Sequence, residues 1–361
     1  MPPPLPLDLE TPPALRALGI VRPSHRPAGA LLVRENGQTR IKETFGCAVP
    51  QVSECLAAAD NDTPFAIASL SKHFTAALVL MLEEDGLLSC EDEIGRHLDL
   101  PAKFRGIRIR HLIFHTSGIP DYLDIDNKIA NYDHPTDRII RSGQALEIIE
   151  ALPLQPCGIE MVYSNSGYLL LGKIVETATG LSFADLMRQR LFGPVGMVNS
   201  FANSERTAER RSVVPYLIHP HRKALLLDFY PDLGPEGGLF VSINDFEKWM
   251  IAFENGALFS NPSTMARFLS HGRLDNGMPN FFMDAYPPYR NAVYGYGLMR
   301  YDFSSGDALV THSGSLGNVH ANFIFNITKI YWHVRFDGES LDFSFQDVIN
   351  NLALSRQESR I

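Results

Sequence analysis

Residues 63–85 read TPFAIASLSKHFTAALVLMLEED and carry the clearest pattern in the chain. From Ser69 to about Asp85, apolar residues recur at helical spacing, and most of the remaining positions are apolar as well. Such a segment is typical of a helix that is buried on nearly all sides. Gly86 is expected to end this helix, because glycine tolerates the positive φ that is common at helix ends.

Ser69 and Lys72 begin this helix three residues apart, so they lie about one turn apart on the same face. The amino terminus of a helix contributes partial positive charge and free N–H groups, which can stabilise an oxyanion. Because an unpartnered ammonium is costly to bury, Lys72 should contact other polar groups. The pair therefore indicates a serine nucleophile beside a lysine. The alternative is a serine helix cap next to a lysine that reaches solvent.

Tyr163 and Asn165 form a second candidate group, shortly before a helix predicted from Gly167. A tyrosine near cations has its phenolate favoured and can take the serine proton as a general base. In extended backbone Asn165 points to the same side as Tyr163, where its amide can orient Lys72 or a substrate carbonyl. The alternative is that Tyr163 is a half-buried core residue.

His312, Gly314 and Ser315 form a third candidate group, directly after a strand predicted over 308–311. His312 and Gly314 face the same way on an extended chain, so the histidine reaches into a cleft while the glycine lets a substrate approach closely. We expect the backbone N–H of Ser315 to be an oxyanion donor together with that of Ser69.

The surrounding pattern places strands at both ends of the chain and helices between them. After a lead over 1–27, strands over 28–34 and 39–47 are joined by a turn at Asn36-Gly37. Helices are predicted over 144–151, 167–179, 182–191 and 244–255. Ser242 or Asn244 is expected to cap the last of them. Further strands are predicted over 308–311, 321–325 and 330–336, and a closing helix over 345–354. This order predicts a sheet built from both termini, with a helical region inserted.

Composition excludes several classes of function. Of 361 residues, 45% are apolar and 20% are charged, which is typical of a globular protein. The net charge of −9 and the absence of basic clusters argue against a nucleic-acid partner. The four cysteines lack metal or redox spacing, so we expect reduced thiols, no metal site and no cofactor.

The membrane and targeting signals are also weak. No apolar stretch approaches the ~20 residues that a membrane-spanning helix requires. The first thirteen residues, MPPPLPLDLETPP, are acidic and rich in proline, whereas a secretory signal begins with basic and then apolar residues. We therefore expect a cytoplasmic protein without a membrane span.

Together, Ser69-Leu70-Ser71-Lys72, Tyr163-Ser164-Asn165 and His312-Ser313-Gly314 resemble the motifs of the serine β-lactamase and penicillin-binding-protein superfamily. The similarity is to its class C β-lactamase, D,D-peptidase and esterase branch. Further segments that resemble this branch are His115-Thr116-Ser117-Gly118-Ile119-Pro120, Gly237-Gly238-Leu239-Phe240-Val241-Ser242 and Tyr294-Gly295-Tyr296-Gly297-Leu298. The resemblance covers about residues 28 to 326.

The resemblance implies an α+β fold, with an antiparallel sheet flanked by helices, a mostly helical lobe and the active site in the cleft between them. It implies a single domain over 28–361, with the sheet lobe at about 28–68 and 240–361 and the helical lobe at about 69–239.

The resemblance also implies roles for individual residues. Ser69 would be acylated, and Lys72 and Tyr163 would activate it. Asn165 would orient the site, and His312 would bind or polarise the substrate.

His312 is a departure from the pattern, because class C enzymes and D,D-peptidases of this branch often carry lysine there. Histidine is largely neutral at pH 7, which weakens the β-lactam and peptidoglycan hypotheses. The leading hypothesis is a serine hydrolase acting on a small ester or amide, as esterases and D-amino-acid amidases of this branch do.

The sequence leaves several alternatives open. An acyltransferase would pass the same acyl group to an alcohol or amine, and a non-catalytic binding protein is a third hypothesis. Aromatic residues within 281–296 either line an apolar acyl pocket or belong to the core. The sequence predicts neither the acyl chain of the substrate nor the oligomeric state.

Overall fold

The computed structural model describes residues 29–46, 58–123, 142–206, 212, 218–219, 222–223, 233–282, 292–303, 306–316, 319–327 and 331–337. The predictions for the lead over 1–27, for Cys47 and Cys55 and for the closing helix over 345–354 lie outside these residues.

The α-helices are Ser71–Glu84 (α1), Ile109–Ile113 (α2), Ser142–Ala151 (α3), Asn165–Thr179 (α4), Phe183–Leu186 (α5), Gly193–Val195 (α6), Ile243–Glu254 (α7) and Pro262–Phe268 (α8). The strands are Gly29–Glu35 (β1), Gln38–Phe45 (β2), Phe65–Ala66 (β3), Phe201–Ala202 (β4), Ile218–His219 (β5), Arg222–Lys223 (β6), Leu239–Val241 (β7), Val293–Tyr294 (β8), Met299–Asp302 (β9), Ala308–Leu316 (β10), Val319–Asn326 (β11) and Tyr331–Asp337 (β12). Short 3₁₀ turns cover Ala68–Leu70, Ile94–Arg96, Ala102–Phe104 and Asn203–Glu205, and a π-helical turn covers Met187–Phe192.

The main sheet is antiparallel and joins the two ends of the described chain. Its strand order is β2-β1-β12-β11-β10-β9-β8, and β1 pairs with β12 from Gly29↔Asp337 to Glu35↔Tyr331. The predicted hairpin is confirmed: Asn36 and Gly37 connect β1 to β2 with φ values of 51° and 75°. Helix α7 packs against β1, where Arg34 donates to the Glu254 carboxylate at 3.1 and 3.2 Å. The predicted α+β class, with helices flanking an antiparallel sheet, is confirmed.

Helix α1 lies in the centre of the core. All of its residues from Ser71 to Leu82 are buried. Phe74 packs against Trp249 with ring centroids 4.5 Å apart, so the helix is anchored to α7. Helix α4 contacts both α1 and α2 on the other side. The start of α1 is therefore held by contacts on several faces, as its apolar composition predicts.

Several predicted elements differ from the observed ones in their bounds or type, and three of them concern the site or the helical region. Strand β10 extends to Leu316, because it stays paired with β11 as far as Leu316↔Val319, so the third candidate group lies within the strand. The helix predicted over 182–191 starts as α5 and then widens into the π-helical turn. Helix α4 begins at Asn165, two residues before the predicted start. The predicted domain and lobe boundaries stay predictions.

Candidate active site

Ser69 lies in the 3₁₀ turn that leads into α1, and its backbone is held from both sides. Ala68 adopts a φ of 45°, which costs a residue with a side chain about 1–2 kcal/mol. Strands β3 and β7 hold this conformation. They are paired with each other, and the backbone N–H of Ile67 donates to the carbonyl of Leu239 at 3.0 Å. The turn therefore presents a partly exposed Ser69 on a fixed backbone.

Gly314 on β10 passes directly over this turn. A Cβ at position 314 would lie 2.8 Å from the backbone nitrogen of Ser69 and 2.3 Å from the carbonyl oxygen of Ile67. Only a glycine permits this approach. His312 and Gly314 are buried and Ser313 and Ser315 are exposed, so the predicted alternation along the strand is observed.

Lys72 is fully buried and has three oxygen neighbours. Its Nζ lies 3.0 Å from Ser69 Oγ, 2.7 Å from Asn165 Oδ1 and 2.6 Å from the carbonyl oxygen of Glu236. The prediction that Lys72 contacts other polar groups is met. The fold thus brings together Ser69 from the turn before α1, Lys72 from α1 and Asn165 from the start of α4.

Burial lowers the pKa of Lys72 to about 7, although the negative charges of Glu236 and Asp121 act to raise it. About half of the amines are then neutral at pH 7. The Asn165 and Glu236 oxygens only accept hydrogen bonds. A neutral amine has two hydrogens and one lone pair, so donating to both oxygens leaves its lone pair for the Ser69 hydroxyl. In this state Lys72 is placed to take the serine proton.

Tyr163 is half-buried beside Lys72, and the interaction of its hydroxyl with Ser69 acts to lower its pKa. The Nζ of Lys72 lies 4.9 Å from the centre of its ring. The expected phenolate is not supported, because burial raises the pKa of Tyr163 and the nearby carboxylate of Asp121 adds to this. The sequence-based reasoning counted the cation and missed the cost of burying the phenolate. Tyr163 is therefore a neutral hydroxyl at pH 7, suited to relaying a proton rather than starting the reaction.

His115 positions Tyr163. Its Nδ1 accepts a hydrogen bond from the backbone N–H of Ser164 at 3.1 Å, and its ring centroid lies 4.3 Å from that of Tyr163. Burial keeps the pKa of His115 well below its usual value, so the ring is neutral.

Asp121 holds Asn165 in place. One carboxylate oxygen accepts from the backbone N–H of Asn165 at 3.1 Å and from its Nδ2 at 2.7 Å. These bonds fix the amide so that Oδ1 faces Lys72. The prediction that Asn165 orients the lysine therefore has a geometric basis.

Glu236 places a buried carboxylate near Lys72. Its Oε1 accepts from the hydroxyl of Tyr122 at 2.7 Å, and its backbone carbonyl accepts from Lys72. Burial raises the pKa of this carboxyl, and the charge of Lys72 opposes the rise. The segment that carries Glu236 is tied to α1, because Thr75 donates to the carbonyl of Pro235 at 2.6 Å.

His312 is buried and held in one tautomer. Its Nδ1 lies 2.7 Å from the carbonyl oxygen of Ser313, which only accepts, so Nδ1 carries the hydrogen. Nε2 then accepts from the hydroxyl of Tyr294 at 3.1 Å. Burial, reinforced by the charge of Lys72, lowers the pKa of His312 to about 3. His312 is therefore uncharged at neutral pH.

Ser315 lies on the opposite face of β10. Its side chain is exposed, and its Oγ lies 3.0 Å from His320 Nδ1, so this hydroxyl is engaged with β11. The expectation that its backbone N–H is an oxyanion donor stays a prediction.

The sequence reasoning missed Asp121, Tyr122 and Glu236 as members of the site, and it left open whether Tyr294 lines a pocket or belongs to the core. Asp121 directly follows the turn that ends at Pro120, and Glu236 directly precedes Gly237, so both adjoin segments quoted for the resemblance. A carboxylate next to such a segment was the available signal.

In the described part of the chain, no helix is long and apolar enough to cross a membrane, and no group of three acidic, histidine or cysteine residues is arranged to hold a metal ion.

Comparisons with known proteins agree with this geometry. The family model described as Beta-lactamase matches residues 19–342 of this chain. Penicillin-binding protein 4* of Bacillus subtilis (strain 168) is 29% identical over 307 residues, which are 80% of this chain and 63% of that protein. The chain thus spans less than two thirds of the length of this relative.

Two solved structures illustrate the similarity in fold. The penicillin binding protein from Bacillus halodurans has a TM-score of 0.74 at 24% identity, covering 94% of this chain and 97% of that chain. The D-amino acid amidase from Ochrobactrum anthropi SV3, complexed with L-phenylalanine amide, has a TM-score of 0.70 at 21% identity, covering 96% of each chain.

Proposed function

The chain belongs to the beta-lactamase family, and on this basis we propose that it is a serine hydrolase that forms an acyl-enzyme on Ser69. The observation that carries the proposal is the position of Lys72, buried between two acceptor oxygens and the Ser69 hydroxyl. A neutral amine in that position is a general base at hydrogen-bonding distance from the nucleophile.

The proposed reaction begins when Lys72 takes the Ser69 proton and Oγ attacks the substrate carbonyl. Backbone N–H groups at Ser69 and Ser315 would stabilise the oxyanion in the gap that Gly314 leaves open. The proton then passes from Lys72 to the leaving group, with the Tyr163 hydroxyl as a relay. Water hydrolyses the acyl-enzyme with Lys72 again as the base.

We propose an amide or ester without a carboxylate group as the substrate. His312 is neutral and both of its ring nitrogens are already engaged, so it offers no cation to a substrate carboxylate. Beside it, Tyr163, Phe282 and Tyr294 lie with ring centroids 6.2–6.4 Å apart, and Met161 packs with them. The partly exposed members of this cluster, Met161, Tyr163 and Phe282, would contact an apolar group next to the scissile carbonyl, and the buried Tyr294 would support them. The similarity in fold to a D-amino acid amidase is consistent with this substrate class.

A substrate panel tests the proposal. We expect hydrolysis of the amide and methyl ester of D-phenylalanine, with a kcat/KM at least tenfold above those of the corresponding D-aspartate compounds, whose side chain carries a charge. A preference for the acidic compounds would contradict the role given to His312. Addition of an amine acceptor tests the acyltransferase alternative, since a condensed product formed at the expense of free acid would favour it.

Two expectations from the sequence, the location of the protein and its substrate class, are still predictions. The cytoplasmic location expected from the sequence stays a prediction, as does hydrolysis of a small ester or amide.

A further inference from the structure

Cys157, His111 and Asp275 form a cluster of hydrogen-bonded side chains outside the site described above. Cys157 Sγ lies 3.0 Å from His111 Nδ1, and His111 Nε2 lies 3.1 Å from Asp275 Oδ1. Arg110 donates to the same carboxylate oxygen at 2.7 Å. The order thiol, imidazole and carboxylate is that of a nucleophile, its base and the group that orients the base.

Two hydrogen bonds fix the tautomer of His111. The backbone N–H of Arg108 donates to Nδ1 at 3.0 Å, so Nδ1 carries the lone pair. Asp275 only accepts when ionised, so Nε2 carries the hydrogen. Its carboxyl is ionised at neutral pH, because the hydrogen bonds from Arg110 and His111 outweigh burial and lower its pKa. The single lone pair of Nδ1 is therefore shared between the Arg108 N–H and the Cys157 thiol.

Both reacting groups are neutral at rest. Burial lowers the pKa of His111, and burial together with the charge of Asp275 raises the pKa of Cys157 to about 11. Cys157 is partly exposed while His111 is buried. A thiol of this kind reacts only slowly by itself, since the thiolate is the nucleophile. A neutral imidazole in hydrogen-bonding contact supplies the missing base, as it does for a neutral serine.

The backbone next to Cys157 is built around Asp275. A Cβ at Gly158 would lie 2.2 Å from Asp275 Oδ2, and the backbone N–H of Asp275 donates to the carbonyl of Gly158 at 3.0 Å. A side chain at 158 would displace the carboxylate from His111. The close approach of these two segments therefore holds the three side chains together.

We propose that Cys157, His111 and Asp275 form a second nucleophilic centre, at which the Cys157 thiol is modified by a low-molecular-weight disulfide. His111 Nδ1 gives up its hydrogen bond from the Arg108 N–H and takes the thiol proton as Sγ attacks one sulfur of the disulfide. A new S–S bond forms to Cys157, the original S–S bond breaks, and the departing thiolate takes the proton from His111. Cys157 is oxidised to a mixed disulfide, and half of the disulfide is reduced to a free thiol.

Glutathione disulfide at pH 7 is the probe, with peptide mass mapping to measure the rate at Cys157 separately from the other cysteines. The rise in pKa from 9.0 to about 11 lowers the thiolate fraction at pH 7 about a hundredfold relative to the urea-denatured chain, and the greater nucleophilicity of the more basic thiolate leaves a net slowing of about tenfold. We expect the native rate to equal or exceed the denatured rate instead. Cys90, which is fully buried, should stay unmodified in the native protein.

Two variants test the roles of the partners. His111→Gln removes the base and Asp275→Asn removes the charge that orients it, and each should lower the native rate at Cys157 at least tenfold. Asp99→Asn, at an exposed carboxylate, is the matched control and should leave the rate unchanged. Labelling of Ser69 by an activated ester reports folding, and Asp275→Asn decides alone if His111→Gln fails to fold. A native rate tenfold or more below the denatured one, or equal rates in native protein and Asp275→Asn, would overturn the proposal.

Discussion

Replacing Gly314 with alanine tests the geometry around Ser69 with a single methyl group. The new Cβ would lie 2.3 Å from the Ile67 oxygen, 2.8 Å from the Ser69 nitrogen and 2.9 Å from the Leu70 nitrogen. All three are backbone atoms of a turn that is braced by β7 and cannot rotate aside. Strand β10 must therefore move away from the turn by roughly 1 Å, a displacement that costs about a hundredfold in rate at a reacting centre.

The methyl group also occupies space next to the Ser69 nitrogen, whose N–H is the proposed oxyanion donor. Loss of one oxyanion donor costs about 10²–10³ in kcat. We therefore expect Gly314→Ala to lower the acylation rate by about 10²–10³, while the protein still folds, because β10 keeps its pairing with β11.

Stopped-flow measurement of the p-nitrophenol burst from a p-nitrophenyl ester gives the acylation rate directly. Gly95→Ala is the matched control, because a Cβ there meets no atom within 4 Å, and it should keep the native rate. If Gly314→Ala acylates within about threefold of the native protein, the space above Ser69 is not where the carbonyl oxygen binds, and the reasoning is refuted.

Two further predictions concern carboxylates near Lys72 and Asn165, and a third concerns the cap of α7. Glu236→Gln removes a negative charge that raises the pKa of Lys72. The fall of kcat/KM at low pH, expected near pH 7 in the native protein, should therefore occur at a lower pH in this variant. An unchanged pH profile would contradict this. Asp121→Asn weakens two bonds to Asn165 and should lower the acylation rate about tenfold to a hundredfold in the same burst assay, whereas a native rate would show that the carboxylate is dispensable. Ser242→Ala removes the cap of α7 and should lower the free energy of unfolding in urea by about 1 kcal/mol, and unchanged stability would refute that role.

Local patterns predicted the fold and the centre of the site well. The pair Ser69 and Lys72 depends on one helical turn, so its spacing alone places the two side chains together. The turn at Asn36-Gly37 is likewise a property of two adjacent residues that both accept positive φ. The start of α7 is set by the Ser242 hydroxyl, which accepts a hydrogen bond from the backbone N–H of Asp245, three residues further on, at 3.2 Å.

Long-range contacts and burial explain what the sequence did not predict. Glu236 meets Lys72 across 164 positions, and Asp121 meets Asn165 across 44. The spacing of apolar residues along the chain does not predict contacts between residues that lie so far apart in the sequence. The neutral state of Tyr163 depends on burial by side chains from several elements, which is why a prediction from nearby charge alone favoured the phenolate. Cys157 was predicted to be a reduced thiol without metal or redox spacing, and its neighbour His111 is 46 positions away.

The central claim is that Ser69 forms an acyl-enzyme with Lys72 as its base. Intact-protein mass spectrometry after mixing with a p-nitrophenyl ester at pH 8, with Ser69→Ala in parallel, tests it most directly. The account predicts a single acyl adduct on the native protein that is missing from Ser69→Ala, and slower formation of the same adduct as pH falls below 7. Equal labelling of the two proteins, or no adduct on either, would contradict it and favour a non-catalytic binding protein.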